Sequence, residues 1–203
     1  MANLTDATYF IADIFVPLSN NATLNENFLA SIARYEDEVL RDLLGYTLWK
    51  ALKVQIDAEA YSAPWEAFIE GAEFSFEFNG STITEKWNGL INDEKKSLTA
   101  YYIYYWHRKY NVSTYSGIGE NSAKGENSIK ASPLSKLVWV NNSMVDLYGN
   151  VPSSVRKYVS FQDSGNYVHY DAEPSAYNYL LANIDDFDGW VFKPKGKVNG
   201  FGI

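Results

Sequence analysis

The 203-residue chain has no cysteine, which excludes disulfides and thiolate metal sites. Histidine is nearly as scarce. His107 and His169 are the only two, and neither has a second histidine or a carboxylate at metal-ligand spacing. No stretch approaches 18 consecutive apolar residues, so no membrane-spanning helix and no membrane partner are expected. The start, MANLTDATYFIADIF, lacks the basic opening and long apolar run of a secretory signal. Positive charge is also in short supply, with 17 Lys and Arg against 25 Asp and Glu, a formal charge of −8. That balance argues against a dedicated nucleic-acid binder, which concentrates Lys and Arg.

What is abundant is aromatic. Sixteen tyrosines and six tryptophans combine large contact area with a polar handle, and such residues are frequent in cores and at interfaces alike. Apolar residues at 46% suit a folded globular chain. Charge is uneven along it: residues 1–106 carry 7 basic and 16 acidic side chains, residues 107–203 carry 10 and 9. One acidic and one near-neutral part suit head-to-side protein contacts steered by charge.

Periodicity predicts a mainly α fold, a small helical bundle with a β-hairpin insertion, a long loop and extended termini. In NNATLNENFLASIARYEDEVLRDLLG, Thr23 and Glu26 read as a capping box. Phe28, Ile32, Tyr35, Val39 and Leu43 form a stripe that Leu29, Ala33, Leu40 and Leu44 widen. Glu36, Asp37 and Glu38 read as solvated charge. Gly45 separates this helix from YTLWKALKVQIDAEA, so an αα-corner is expected. Pro64 suits the first turn of a short helix. Phe74, Phe76 and Phe78 alternate before Asn79-Gly80, which predicts a hairpin near residues 73–88 with Ile83 and Trp87 on its return strand.

Asn92 reads as the cap of a helix containing LTAYYIYYWHRKYN, residues 98–111. That run could stack bases, but a stacking platform needs an electropositive groove beside it. A helix apolar nearly all round is a buried one, so Leu98, Tyr102, Tyr105 and Trp106 are expected in the core. His107 in HRKY reads as a cation complementing the helix C-terminus. Residues 111–132, rich in Gly, Ser and Asn, form a long connection without periodicity, either a mobile loop or an arm ordered by a partner. Pro133 opens a helix with Leu137, Val140, Met144 and Leu147 or Tyr148 inward. After a helical turn in SSVRKYVSF come a short helix, SAYNYLLANI, and the tail DDFDGWVFKPKGKVNGFGI.

Enzymatic constellations are thin. His169 and Asp171 would share a face of an extended segment, yet a pair is no triad. GIGENSAKG lacks the Lys-Ser/Thr ending of a phosphate loop and follows a helix, not a strand. No cofactor is implied.

Three stretches together carry a resemblance: NENFLASIARYEDEVLRDLLGYTLWKAL, WNGLINDEKKSLTAYYIYYWHRKY and GENSIKASPLSKLVWVNNSMVDLY. Over residues 22–148 the chain resembles the head–tail connector, or neck adaptor, proteins of tailed phages and prophages, in a variant of Bacteroidetes-type hosts. The resemblance implies a non-enzymatic virion protein, assembled in the host cytoplasm. It would form a homo-oligomeric ring around the DNA channel between the portal and the tail or neck proteins, with DNA in transient, non-specific proximity. The alternatives are another intracellular structural or interaction module such as a tail terminator and, more remotely, a hydrolase.

The expected organisation is one helical domain over 1–183 with a C-terminal arm over 184–203. Assembly contacts are expected from the loop, through Tyr115, Ile118, Lys124, Ile129 and Lys130. The arm would add Trp190, Val191, Phe192 and Lys193.

Overall fold

A computed structural model of the protein describes residues 3–16, 22–78, 81–110, 114–116, 119–121, 133–149 and 174–198. Among them are five helices: α1 (Ala22–Ala58), α2 (Ala63–Glu70), α3 (Leu98–Tyr110), α4 (Pro133–Tyr148) and α5 (Ala176–Ala182). A hairpin of β1 (Ala72–Phe78) and β2 (Ser81–Trp87) is inserted between α2 and α3, and a second, shorter one pairs β3 (Thr114–Ser116) with β4 (Gly119–Asn121). The fold is mainly helical with a small hairpin insertion, as the periodicity predicts.

Gly45 breaks α1 in two, with φ 75° and ψ 165°. This is left-handed backbone that a Cβ would strain, and it lets the second arm fold back until Lys53 Nζ reaches Asp37 Oδ1 at 3.2 Å. Gly71, at φ 95°, ends α2 where a Cβ would lie 2.5 Å from the Trp87 carbonyl oxygen. That close approach seats the hairpin on α2. Trp87 donates its indole N–H to the Phe68 carbonyl at 2.8 Å. Around it Phe68, Phe74, Tyr179 and Phe187 interlock with centroid distances of 5.6–6.4 Å. The register sets Phe76 opposite Ile83 and Ala72 opposite Trp87, one face inward and the other polar, as period two requires.

α3 is the centre of the bundle and packs against α1 and α4. It runs antiparallel to both: Ser31 meets His107 while Glu38 meets Tyr102, and Trp139 meets Tyr101 while Lys136 meets Tyr104. Leu98, Tyr102, Ile103, Tyr104 and Tyr105 are buried, so the aromatic run is mostly core. Trp106 is only half-buried, because it lies at the rim with Tyr110 stacked on it at 5.5 Å.

Other expectations need correction. α3 begins at Leu98, and its cap is Ser97, whose hydroxyl accepts the Thr99 N–H at 3.3 Å. Asn92 instead closes the preceding turn by bonding both Lys96 N and Lys96 O. Leu29 is 52% exposed, on the edge of the stripe that turns to solvent. Residues 111–132 contain the β3–β4 ladder. The Thr23 side chain of the capping box and the turn in SSVRKYVSF lie outside the described residues.

Candidate interaction surface

The C-terminal arm lies across α1 and α4 of its own subunit. The break at Gly45 interrupts the helical hydrogen-bond ladder, and the nearby Leu43 carbonyl accepts the Trp190 indole N–H at 2.8 Å. Phe192 packs on Tyr177 and Tyr148, with centroids at 4.4 and 5.6 Å. The Tyr148 hydroxyl donates to the Lys193 carbonyl at 2.8 Å. Farther along, Asn142 takes both backbone groups of Val198, as a neighbouring strand would.

Asp42 is the electrostatic anchor of the arm. Its two carboxylate oxygens accept Lys193 Nζ and Lys195 Nζ, each at 2.7 Å. Burial alone would raise this carboxyl, but the two lysine hydrogen bonds outweigh it and hold its pKa below the ordinary 3.8. The Lys195 ammonium also sits over the rings of Tyr102 and Tyr148, at 5.0 and 5.4 Å.

The N-terminal segment is held differently. Glu36, 1% exposed, accepts the backbone N–H groups of Leu4 and Thr5 at 2.9 and 2.6 Å. Beside it the hydroxyls of Thr5, Thr99 and Ser97 form a buried chain. Desolvation pushes the Glu36 carboxyl above its ordinary 4.5, and these hydrogen bonds with the Lys53 charge offset only part of that. Glu38 is half-buried and accepts the Tyr102 hydroxyl at 2.6 Å. Solvated charge is therefore the wrong description of Glu36 and Glu38. His107 is corrected too: it lies edge-on to Phe28 at 4.8 Å, and burial, then Arg108, lower its pKa.

Two surfaces of opposite character remain. Of the ten large hydrophobic side chains exposed among the described residues, Ile11 and Phe15 lie on the N-terminal segment, Leu29 on α1, Tyr110 on the last turn of α3, and Leu134 and Trp139 on the first half of α4. Asp13, Ser135, Lys136 and Trp139 line an open depression of about 390 Å³ where the N-terminal segment meets α4. At the N-terminal end of α3, a cleft of about 510 Å³ is lined by Tyr9, Glu70, Ile91, Asp93 and Glu94 with Lys86 and Lys95. Residues 57–94, which lead into it through α2 and the hairpin, carry nine acidic side chains and one lysine. That stretch alone accounts for the net charge of the chain.

Of the expected assembly residues, Trp190 and Phe192 point inward, Val191 is 75% exposed and Lys193 pairs with Asp42. Tyr115 has its backbone in β3, paired with Glu120. Ile118, Lys124, Ile129 and Lys130 lie outside the described residues, as do His169 and Asp171. Sequence reasoning missed Asp42, Glu36 and the apolar patch between the N-terminal segment and α4. Only Glu36 had a local signal, an acid set four residues from both Ile32 and Leu40 in the apolar stripe. Among the described residues, no group of three or more His, Asp and Glu is placed to hold a metal ion. No family model matches the chain, and no curated protein or solved structure matches it either.

Proposed function

We propose that the chain is a structural subunit of a tailed phage or prophage particle, set at the head–tail junction as one copy of a ring around the DNA channel. The observation that carries the reading is the exposed apolar patch between the N-terminal segment and α4. A helical body whose own core is well filled nevertheless keeps Ile11, Phe15, Leu134 and Trp139 exposed where the N-terminal segment meets α4. Exposed apolar patches rimmed by polar groups mark contact surfaces. The order of the described elements, a helical pair broken at Gly45, a hairpin insertion, an aromatic helix and a further helix, is also the order on which the resemblance to neck adaptor proteins rests. An acidic chain suits a conduit that must not hold passing DNA. On this reading the portal and the tail or neck proteins are its partners.

The test is deletion of the gene from an inducible prophage followed by electron microscopy of the particles. Filled heads and complete tails that fail to join, rescued by the gene in trans, are the expected result. Joined, infectious particles made without the chain overturn the proposal, and tails of uncontrolled length would mark a tail terminator instead.

A further inference from the structure

The C-terminal arm joins its body through a bare turn. Phe187 is fully buried against Trp65, Phe68 and Tyr179. Asp188 and Gly189 after it are exposed, and Gly189, at φ 77°, has open space where a Cβ would stand. One backbone bond, from the Trp190 N–H to the Phe187 carbonyl at 3.1 Å, closes the turn. Beyond it the arm is gripped by side chains of α1 and α4. Lys193, Lys195 and Lys197 are two residues apart, the spacing that puts side chains of an extended segment on one face. All three meet carboxylates: the first two on Asp42, the third on Asp146 at 2.6 Å. The backbone is held as well, by the Tyr148 hydroxyl at Lys193 and by Asn142 at Val198. The groove is thus built to receive an extended segment with ammonium groups at alternate positions. Lys195 fills its centre, a cage of one carboxylate and two tyrosine rings.

We infer that this groove also accepts the arm of a second copy, and that exchange of arms at the Asp188–Gly189 turn links neighbouring subunits. Identity fixes the occupant. Residues 190–198 of another copy make the same contacts as the chain's own, and only the turn from Phe187 to Trp190 has to open. Nine residues, 190–198, reach about 30 Å when extended. That is nearly twice the radius of gyration of about 17 Å for a folded chain of this length, so an arm spans to the groove of an adjoining copy. In dilute solution closure within one chain wins, because its effective concentration is on the order of 1 mM. Exchange prevails where copies are concentrated or held side by side. Each copy gives one arm and receives one, so the links close a pair or continue as a ring. The inference goes beyond the head–tail reading and holds for any assembly of this chain.

Mixed-isotope cross-linking of the full chain tests it. Unlabelled and heavy-isotope-labelled chains are incubated together near millimolar concentration, in raised salt that loosens the lysine contacts. They are then returned to low salt and treated with a carbodiimide, which joins paired lysines and carboxylates as amides. Links of Lys195 to Asp42 and of Lys197 to Asp146 are expected between peptides of different label, increasing with protein concentration. Links within one label only, at every concentration, overturn the inference. Charge reversal is an independent measurement. Asp42→Lys, and separately Lys193→Asp with Lys195→Asp, set like charges against each other within one chain, whereas in a mixture each arm meets an oppositely charged groove on the other chain. By light scattering, the equimolar mixture should associate at least about tenfold more tightly than either variant alone. Circular dichroism checks that each variant folds. A mixture that associates no better than its components overturns the inference. Single-label links in a chain still found at the head–tail junction overturn arm exchange alone. Mixed-label links in a chain absent from particles keep the exchange and remove the phage role.

Discussion

The two end segments of the chain are clamped to the same helix by opposite physical means. The N-terminal segment hangs on Glu36, a single buried carboxylate that accepts two backbone N–H groups. The C-terminal arm hangs on Asp42, a partly exposed carboxylate that accepts two lysines, with Trp190 and Phe192 packed beside it. A buried acceptor cannot be replaced by water when it is lost, so its removal is costly. An exposed ion pair exchanges its partners for water and salt, and most of the holding falls to the apolar groups around it. The comparison teaches that similar-looking clamps divide their energy differently between polar and apolar groups.

Truncation after Asn183 should have the largest effect. It removes the fully buried Phe187 together with Trp190 and Phe192, and large aromatic deletions of this kind cost about 3–5 kcal/mol each. A loss of at least about 5 kcal/mol in chemical denaturation, or failure to fold, is expected. A truncated chain as stable as the full one would mean the arm belongs elsewhere. Glu36→Ala comes next, at about 3 kcal/mol, because it leaves two backbone donors buried without acceptors. A change below about 1 kcal/mol would show that water reaches them.

Within the arm, Lys195 and Lys193 separate by exposure, with side chains 18% and 68% accessible. Lys195→Ala should cost about 1 kcal/mol and Lys193→Ala less than about 0.5. Equal effects, or the reverse order, would contradict the assigned geometry.

The finest distinction is in pH dependence. The Asp42 pKa is lowered in the fold, so its contribution is present above the unfolded value of 3.8 and is lost as pH falls through the folded one. The Glu36 pKa is raised, so the folded state takes up its proton first, and stability falls as pH rises from 4.5 through the folded value. Unfolding free energies measured across pH should therefore show opposite slopes when wild type is compared with Asp42→Asn and with Glu36→Gln. Parallel slopes would refute one of the two assignments.

Much of the fold was legible because its signals are local. Phe74, Phe76 and Phe78 before Asn79-Gly80 need no tertiary information to predict a hairpin, nor does Gly45 to predict a corner. The boundary of α3 was less so, since Asn92 and Ser97 are both good caps. Ser97 prevails because its hydroxyl joins Thr99 and Thr5 in a buried chain, a contact from the far end of the sequence. The interaction surface was the least legible part. Asp42 and its lysines are 151 and 153 residues apart, and no period links positions so distant. Leu29 matches the stripe of α1 in sequence yet faces solvent, because only the packing of α3 and the N-terminal segment decides which edge of the stripe is covered.

The spacing of the two clamps on α1 has a mechanical consequence. Glu36 and Asp42 are six residues apart, about 9 Å of helix. Tension applied between the segments that precede Leu4 and follow Val198 passes from one clamp to the other through less than two turns of α1. The hairpin and α2 lie off that path, whereas α4 shares the load, because Asn142 and Asp146 hold the arm at Val198 and Lys197 before the pull reaches Asp42. Under a pull the α4 contacts of the arm should yield first and the Asp42 clamp after them.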